Sequence, residues 1–414
     1  MAYRTTSGKD SPMMRSATKG QAGPVSMLAQ LLELGESLHG TGLSVFIENY
    51  PQGCWNKEIV PDHEILFGIE DSRYTSISGL RALRQELATR DAVRRSQLFL
   101  CAENIAVTQG GTHALNVVLQ TFGGPNVDVL IPAPSYSGYR DICEVLRLPY
   151  RPYLMDDSGI WLTDELLASL RPSSIMIVNT PHNPSGGQID TDQLIRLVKT
   201  VRETGALVVF DSVYDELVYE GKPPEWNSIF KAADDLDSFI WINSFSKNFG
   251  FPGVRLGWLT ATAATIRMME AAIESSVLCL PDYIQRWASL AVSRMSGTLV
   301  EDMKGRREYL CAKLSGVAGL EFKRPAAGLT VMARLRSGSG MELVQRLLRS
   351  NAALFLPGDA YYGGDPQTIR LCFGYSLTEI NRYVEILASL LGRRLQVLSS
   401  EQIAAEQQTP VASV

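Results

Sequence analysis

The sequence predicts an α/β protein, with a large domain on a mainly parallel sheet covered by helices and a smaller α+β domain. Three observations carry that expectation. The chain has 414 residues, 45% apolar and 20% charged, enough for more than one core. From Asn104 onward, short runs rich in Val and Ile alternate with helical patterns. Beyond about residue 290 the strand signals become shorter and surround a single helix pattern.

In chain order, Asn104-Ile-Ala-Val-Thr reads as a strand and Thr112–Thr121 as the helix after it. Asp128–Pro132, Ser174–Asn179, Ala206–Asp211 and Phe239–Asn243 are four further apolar runs of strand length, suited to burial on both faces. Thr163–Leu170 and Thr191–Glu203 are helix patterns between them, and such alternation implies crossovers and parallel pairing. Ala261–Val292 reads as one long helix leaving the sheet. Gly328–Arg334, Ala353–Pro357 and Thr368–Phe373 read as strands around the helix Met341–Arg349. The polar stretch 1–24 is expected to be a flexible arm and 396–414 a flexible tail. Between them, the expected large domain is 72–290, and the small domain combines 25–71 with 291–395.

Composition narrows the function. Net charge is 39 − 44 = −5, without the basic surplus that neutralises phosphates, so no nucleic-acid partner is expected. No apolar run reaches the roughly 18 residues of a membrane helix, and the N-terminus lacks the apolar core of a secretory signal. A cytoplasmic location and no membrane association follow as expectations. The six cysteines are widely spaced, suggesting neither a disulfide framework nor a metal site.

Ligands of open α/β sheets sit outside the carboxyl ends of the strands. The polar residues there are Gln109-Gly110-Gly111-Thr112, Pro134-Ser135-Tyr136, Asn179 with His182-Asn183-Pro184, Asp211 with Tyr214, and Ser244-Phe245-Ser246-Lys247. Gly110-Gly111-Thr112 opens a helix, where free N–H groups and the helix dipole favour a phosphate; it is also an ordinary turn and cap. The strongest local signal is Ser244-x-Ser246-Lys247-x-x-Gly250-x-x-Gly253-x-Arg255-x-Gly257. Two hydroxyls and an arginine can hold a phosphate dianion, and the electropositive setting favours Lys247 as a neutral nucleophile for a Schiff base. Asp211 closes an apolar run, so its buried carboxylate needs a partner such as a protonated pyridine nitrogen, or serves as a helix cap. Tyr214 can reach the same ring's oxygen, Asn183 can point its amide into the cleft, and Tyr136 can lie flat on a ring; core packing or turn formation would also explain each. Arg370 is a candidate clamp for a substrate carboxylate, with a surface salt bridge as the alternative.

In order and spacing these residues closely resemble the fold-type-I pyridoxal-phosphate enzymes of the class I/II aminotransferase group, from about Ser44 to Leu391. The resemblance implies a seven-stranded type of large-domain sheet, pyridoxal 5'-phosphate as cofactor, and an active site shared across a homodimer. It implies Lys247 as the lysine that bonds the cofactor aldehyde, Asp211 as partner of the pyridine nitrogen, and Tyr214 and Asn183 as ligands of the ring oxygen. It assigns the stacking role to Tyr136 and phosphate contacts to Gly110, Gly111, Thr112, Ser244, Ser246 and Arg255. Arg370 takes the α-carboxylate, and Tyr74 is the tyrosine lent to the neighbouring subunit's phosphate. The implied reaction moves an amino group from an amino acid to a 2-keto acid, with Lys247 shuttling the α-proton.

One stretch departs from the pattern. Many relatives carry a Gly-x-Gly-x-Pro-like segment where this chain reads Val45-Phe-Ile-Glu48-Asn49-Tyr50-Pro-Gln-Gly53. Glu48-Asn49 resembles the corresponding stretch of aminocyclopropane-carboxylate synthases. The alternative it raises is a same-fold lyase or substitution enzyme performing β- or γ-elimination, including on S-adenosylmethionine. No second substrate arginine stands out, which favours a large or aromatic amino acid.

Overall fold

The computed structural model describes residues 27–38, 43–47, 50–52, 73–95, 100–155, 162–221, 236–294, 298–350 and 352–392. The expected arm 1–24, the tail 396–414 and the Glu48-Asn49 pair lie outside the described residues.

The strands, numbered in chain order, are β1 Ser44–Val45, β2 Ile105–Thr108, β3 Asp128–Ala133, β4 Tyr150–Leu154, β5 Ser174–Asn179, β6 Leu207–Asp211, β7 Phe239–Ser244, β8 Gly257–Thr260, β9 Leu320–Phe322, β10 Thr330–Leu335, β11 Ala353–Leu354, β12 Leu356–Pro357 and β13 Thr368–Cys372. Seven of them form one sheet in the order β2-β8-β7-β6-β5-β3-β4. β8 pairs antiparallel with both β2 and β7, and every other pair in that sheet is parallel. β12, β13, β10 and β9 make a second, antiparallel sheet, and β1 pairs in parallel with β11.

The interior of the large sheet explains its run-like sequence. β5 and β7 are buried at every position, so alternation is absent and Val, Ile, Phe and Trp fill both faces. One face packs through Val129, Ile177, Ile240 and Leu259 on the helix Gly110–Phe122, the other through Met176, Val208 and Phe210 on the helix Thr191–Thr204. That second helix begins where the Asp190 carboxylate accepts the Gln193 N–H and ends at Gly205, whose φ of 70° closes it. Among the described residues, no helix is long and apolar enough to cross a membrane.

Two sequence expectations are corrected. The predicted helix Ala261–Val292 is two helices, Ala263–Val277 and Asp282–Arg294. Pro281 cannot donate an N–H and disfavours helical backbone before it, and Leu278 turns to a φ of 61°. The run Ala353–Pro357, read as one strand, is β11 and β12, whose partners lie in different sheets. The antiparallel β8 is not foreseen from the sequence: it is four residues long and begins at Gly257, the last glycine of the glycine-spaced segment.

Candidate active site

Five turns meet at the rim where the parallel strands end, and they enclose a cavity of about 510 Å³. Its lining includes Gly111, Thr112, Tyr136, Asn183, Asp211, Tyr214, Ser244, Ser246, Lys247, Arg255 and Arg370. Gly110 stands immediately behind, and Tyr74 is 84% exposed and away from the cavity of its own chain.

One end is built for an anion. The helix Gly110–Phe122 starts directly after β2 and points its free N–H groups at the cavity. Gly110 has a φ of 79°, and a Cβ there would lie 2.8 Å from Arg255 Nη2. The helix start also sits against β8: a Cβ on Gly257 would fall 2.7 Å from the Gly110 carbonyl carbon and 2.9 Å from the Gly111 nitrogen. Ser244 Oγ donates to Ser246 Oγ at 3.0 Å, while Arg255, itself at a φ of 54°, donates to the Pro252 carbonyl at 2.7 Å and lies 3.5 Å from Ser246 Oγ. Hydroxyls, N–H groups and one guanidinium are the donor set that a phosphate dianion requires.

The middle is organised around Asp211, the last residue of β6. Tyr139, 1% exposed, donates its hydroxyl to Asp211 Oδ2 at 2.5 Å, and Val213 N–H donates to Oδ1 at 3.3 Å. Burial pushes the Asp211 carboxyl above the ordinary range, while these two donated bonds pull it back. Tyr214 is buried, which pushes its phenol well up. Tyr136 packs edge-on against Tyr139 with centroids 5.7 Å apart. Its ring also lies over Gly138, where a Cβ would be 2.2 Å from Tyr136 Cε1.

Asn183 occupies the turn after β5. Its N–H donates to Asn179 Oδ1 at 2.7 Å, but its own buried Oδ1 finds no partner among the described residues. The neighbouring His182 bridges two turns, touching Ser185 Oγ at 2.8 Å and the Pro134 carbonyl at 2.9 Å. Burial depresses its imidazole to about 4, so at neutral pH the ring is uncharged.

The far end is Arg370 of β13, 4% exposed. Its Nη1 donates to Tyr361 Oη at 3.0 Å, and its Nη2 donates to the Ile47 carbonyl. The structure therefore brings together every predicted site residue except Tyr74. Sequence reasoning missed Tyr139 and Tyr361. Tyr139 lies three residues after Tyr136, just inside the helix Gly138–Leu146, and that short spacing is visible in the sequence; Tyr361 carries no local signal.

A family model for aminotransferase class I and II matches residues 57–387. The chain belongs to this family. As a class I and II aminotransferase it resembles the arginine–pyruvate transaminase of Pseudomonas aeruginosa, 29% identical over 317 residues, 73% of this chain and 78% of that protein. The L-aspartate:5-guanidino-3-methyl-2-oxopentanoate transaminase of Pseudomonas syringae is 25% identical over 381 residues, 90% of this chain and 96% of that one. The structure of aspartate aminotransferase from Thermus thermophilus with maleate matches with a TM-score of 0.78 at 21% identity, covering 90% of this chain and all 100% of the other. The fold is thus that of the fold-type-I aminotransferases, and the family it defines works with pyridoxal phosphate.

Proposed function

We propose that this aminotransferase binds pyridoxal 5'-phosphate at the sheet rim and passes an amino group from a large, uncharged or aromatic α-amino acid to a 2-keto acid. The observation that carries the reading is the shared cavity: Lys247 and Asp211 open into it between two arginines with different neighbours. The unpartnered Asn183 amide oxygen and the close-packed Gly110 cradle fit the same group. When bound, the cofactor supplies an electron sink for charge developing at the substrate's Cα.

The chain's residues do the rest. Gly110, Gly111, Thr112, Ser244, Ser246 and Arg255 would hold the phosphate, and Tyr136 would pack against the ring. Asp211 would favour a protonated ring nitrogen, and Tyr214 and Asn183 would bond the ring oxygen. Arg370 would orient the substrate carboxylate, and the Lys247 amine would take and return the proton at Cα. The described charged residues lining the cavity are Asp211, Lys247, Arg255 and Arg370, all used by these roles. Ile47, Tyr50 and Tyr361 line the cavity as well, with no further cation among the described lining residues, which supports a bulky side chain over an acidic one. We assign 72–290 to the cofactor-binding domain and 25–71 with 291–395 to the substrate-clamping one. A cytoplasmic homodimer in which Tyr74 serves the partner's site accords with that residue's exposure.

Purified protein given pyridoxal phosphate is expected to turn yellow, and borohydride to fix the cofactor on Lys247, read by peptide mass. A panel of amino acids should then yield keto acids, aromatic ones fastest. Protein that stays colourless and unlabelled sinks the reading. Release of methylthioadenosine from S-adenosylmethionine without keto acid would replace it with elimination.

A further inference from the structure

Two chemistry-bearing turns leave adjacent strands: Ser212–Glu216 follows β6 and Phe245–Gly250 follows β7. The backbone ladder between them runs through Asp211 and Ile242, and the Ser212 N–H donates to the Ile242 carbonyl at 2.9 Å. Past that point the two turns are joined by side chains.

Asn248, immediately after Lys247, is 0% exposed. Its Nδ2 donates to Asp215 Oδ1 at 2.8 Å and to Asn243 Oδ1 at 2.9 Å, and its Oδ1 accepts the Glu216 N–H at 3.3 Å. Asn243, 1% exposed, donates from Nδ2 to both Asp215 oxygens at 3.1 and 3.2 Å. Two arginines of the helix Arg81–Arg95 balance the acidic pair. Arg94 lies 2.8 Å from Asp215 and 3.0 Å from Glu216; Arg90 pairs with Glu216 and stacks 4.8 Å from the Phe249 ring centre. None of these six residues lines the cavity.

We propose that Asn248 is a positioning residue whose amide locks the Lys247 turn to the Tyr214–Glu216 turn, fixing the lysine amine relative to the Asp211 carboxylate. The inference rests on the roles proposed above for Lys247 and Asp211. Its physical basis is that two bonds of the amide cross between the turns, one donated to Asp215 and one accepted from the Glu216 N–H, while a third ties it to Asn243 of its own strand. The ion pairs behind anchor the whole unit to a helix, so the lock is rigid rather than merely local. Two partly buried carboxylates, with side chains 12% and 18% exposed, face two guanidiniums and leave no net charge.

The test is Asn248→Asp, which keeps the shape and the acceptor for Glu216 N–H but turns both donations into contacts between acceptors. Bound pyridoxal phosphate is measured by equilibrium dialysis, and the portion fixed at position 247 by borohydride and peptide mass. At saturating cofactor, the rate of fixation is expected to fall about tenfold, as losing one or two buried hydrogen bonds implies. Combining Asn248→Asp with Asp215→Asn reverses donor and acceptor at the contact between the turns and leaves only the one to Asn243 unmade, so it should recover at least about threefold of the lost rate. Should Asn248→Asp not fold, Asn248→Ser removes the amide at lower cost and is read the same way.

A folded single variant that is fixed at the wild-type rate overturns the proposal. So does an exchange variant that recovers thermal stability while fixation stays slow, since the contact would then be purely structural. Wild-type protein that borohydride never labels at Lys247 defeats the function reading itself, a separate outcome.

Discussion

The two arginines that line the cavity are held in opposite ways. Arg255 bonds within its own loop, to the carbonyl of Pro252 three residues back and towards Ser246 nine back. Arg370 bonds Tyr361, nine residues back in the connection before β13, and is also gripped by the carbonyl of Ile47, 323 positions away. The anion cradle is therefore a local device that a short stretch of chain specifies almost alone. The clamp depends on strands and segments that only the completed fold brings together.

Removing the group that both ends serve should have the largest effect. Lys247→Ala is expected to lower turnover on the order of 10⁴-fold, measured in steady-state assays, while dialysis still detects bound cofactor. Activity within tenfold of wild type would deny that lysine its place between the two arginines.

The sharpest break of the comparison is a pair of substitutions. Arg370→Ala should raise KM for the amino acid about 100-fold, since charge-assisted hydrogen bonds contribute about 1.5–3 kcal/mol each. Arg255→Ala should weaken cofactor binding by about the same factor. With cofactor saturating, the amino acid's KM should then stay near wild type. If the two variants change the same constant, the ends are not separate.

Gly257→Ala probes how tightly the local end is packed. The added Cβ would lie 2.7 Å from both the Asn243 carbonyl oxygen and the Gly110 carbonyl carbon, all backbone that cannot swing away. We expect a loss of about 2 kcal/mol in denaturant unfolding, with cofactor affinity falling alongside. An unchanged midpoint would mean that the helix start has room to retreat.

The smallest effect belongs to Tyr139→Phe, midway between the ends. The Tyr139 hydroxyl favours the ionised form of Asp211 against the burial that raises its pKa. Without it, the carboxyl should hold its proton to higher pH. The acid limb of the kcat/KM profile should then move up by about one unit, roughly 1.4 kcal/mol. A shift to lower pH would reverse the assigned sense of that hydrogen bond.

How much of this was readable in advance follows the same local-versus-distant division. The strand runs Ser174–Asn179 and Ala206–Asp211 stand where burial on both faces put them, and the segment Ser244–Gly257 announced its chemistry by spacing. A partner brought in over a long separation left no trace in composition or period: the Ile47 carbonyl, 323 positions from Arg370, is the example. The break between Val277 and Asp282 was readable from Pro281 but was outweighed by the helical period on both sides. Asn248 was hidden differently, next to a conspicuous lysine yet silent until its partners across the turn were visible.

The lone reversed strand has one more consequence. Ser244 and Gly257 face each other in register across β7 and β8, so the segment between them leaves the rim and returns to it at adjoining points. It is a noose tied at both ends. Adding or deleting a single amino acid inside it has nowhere to be absorbed, and would drag Lys247 and Arg255 out of step with one another. Its span should be as diagnostic of this chemistry as the letters within it.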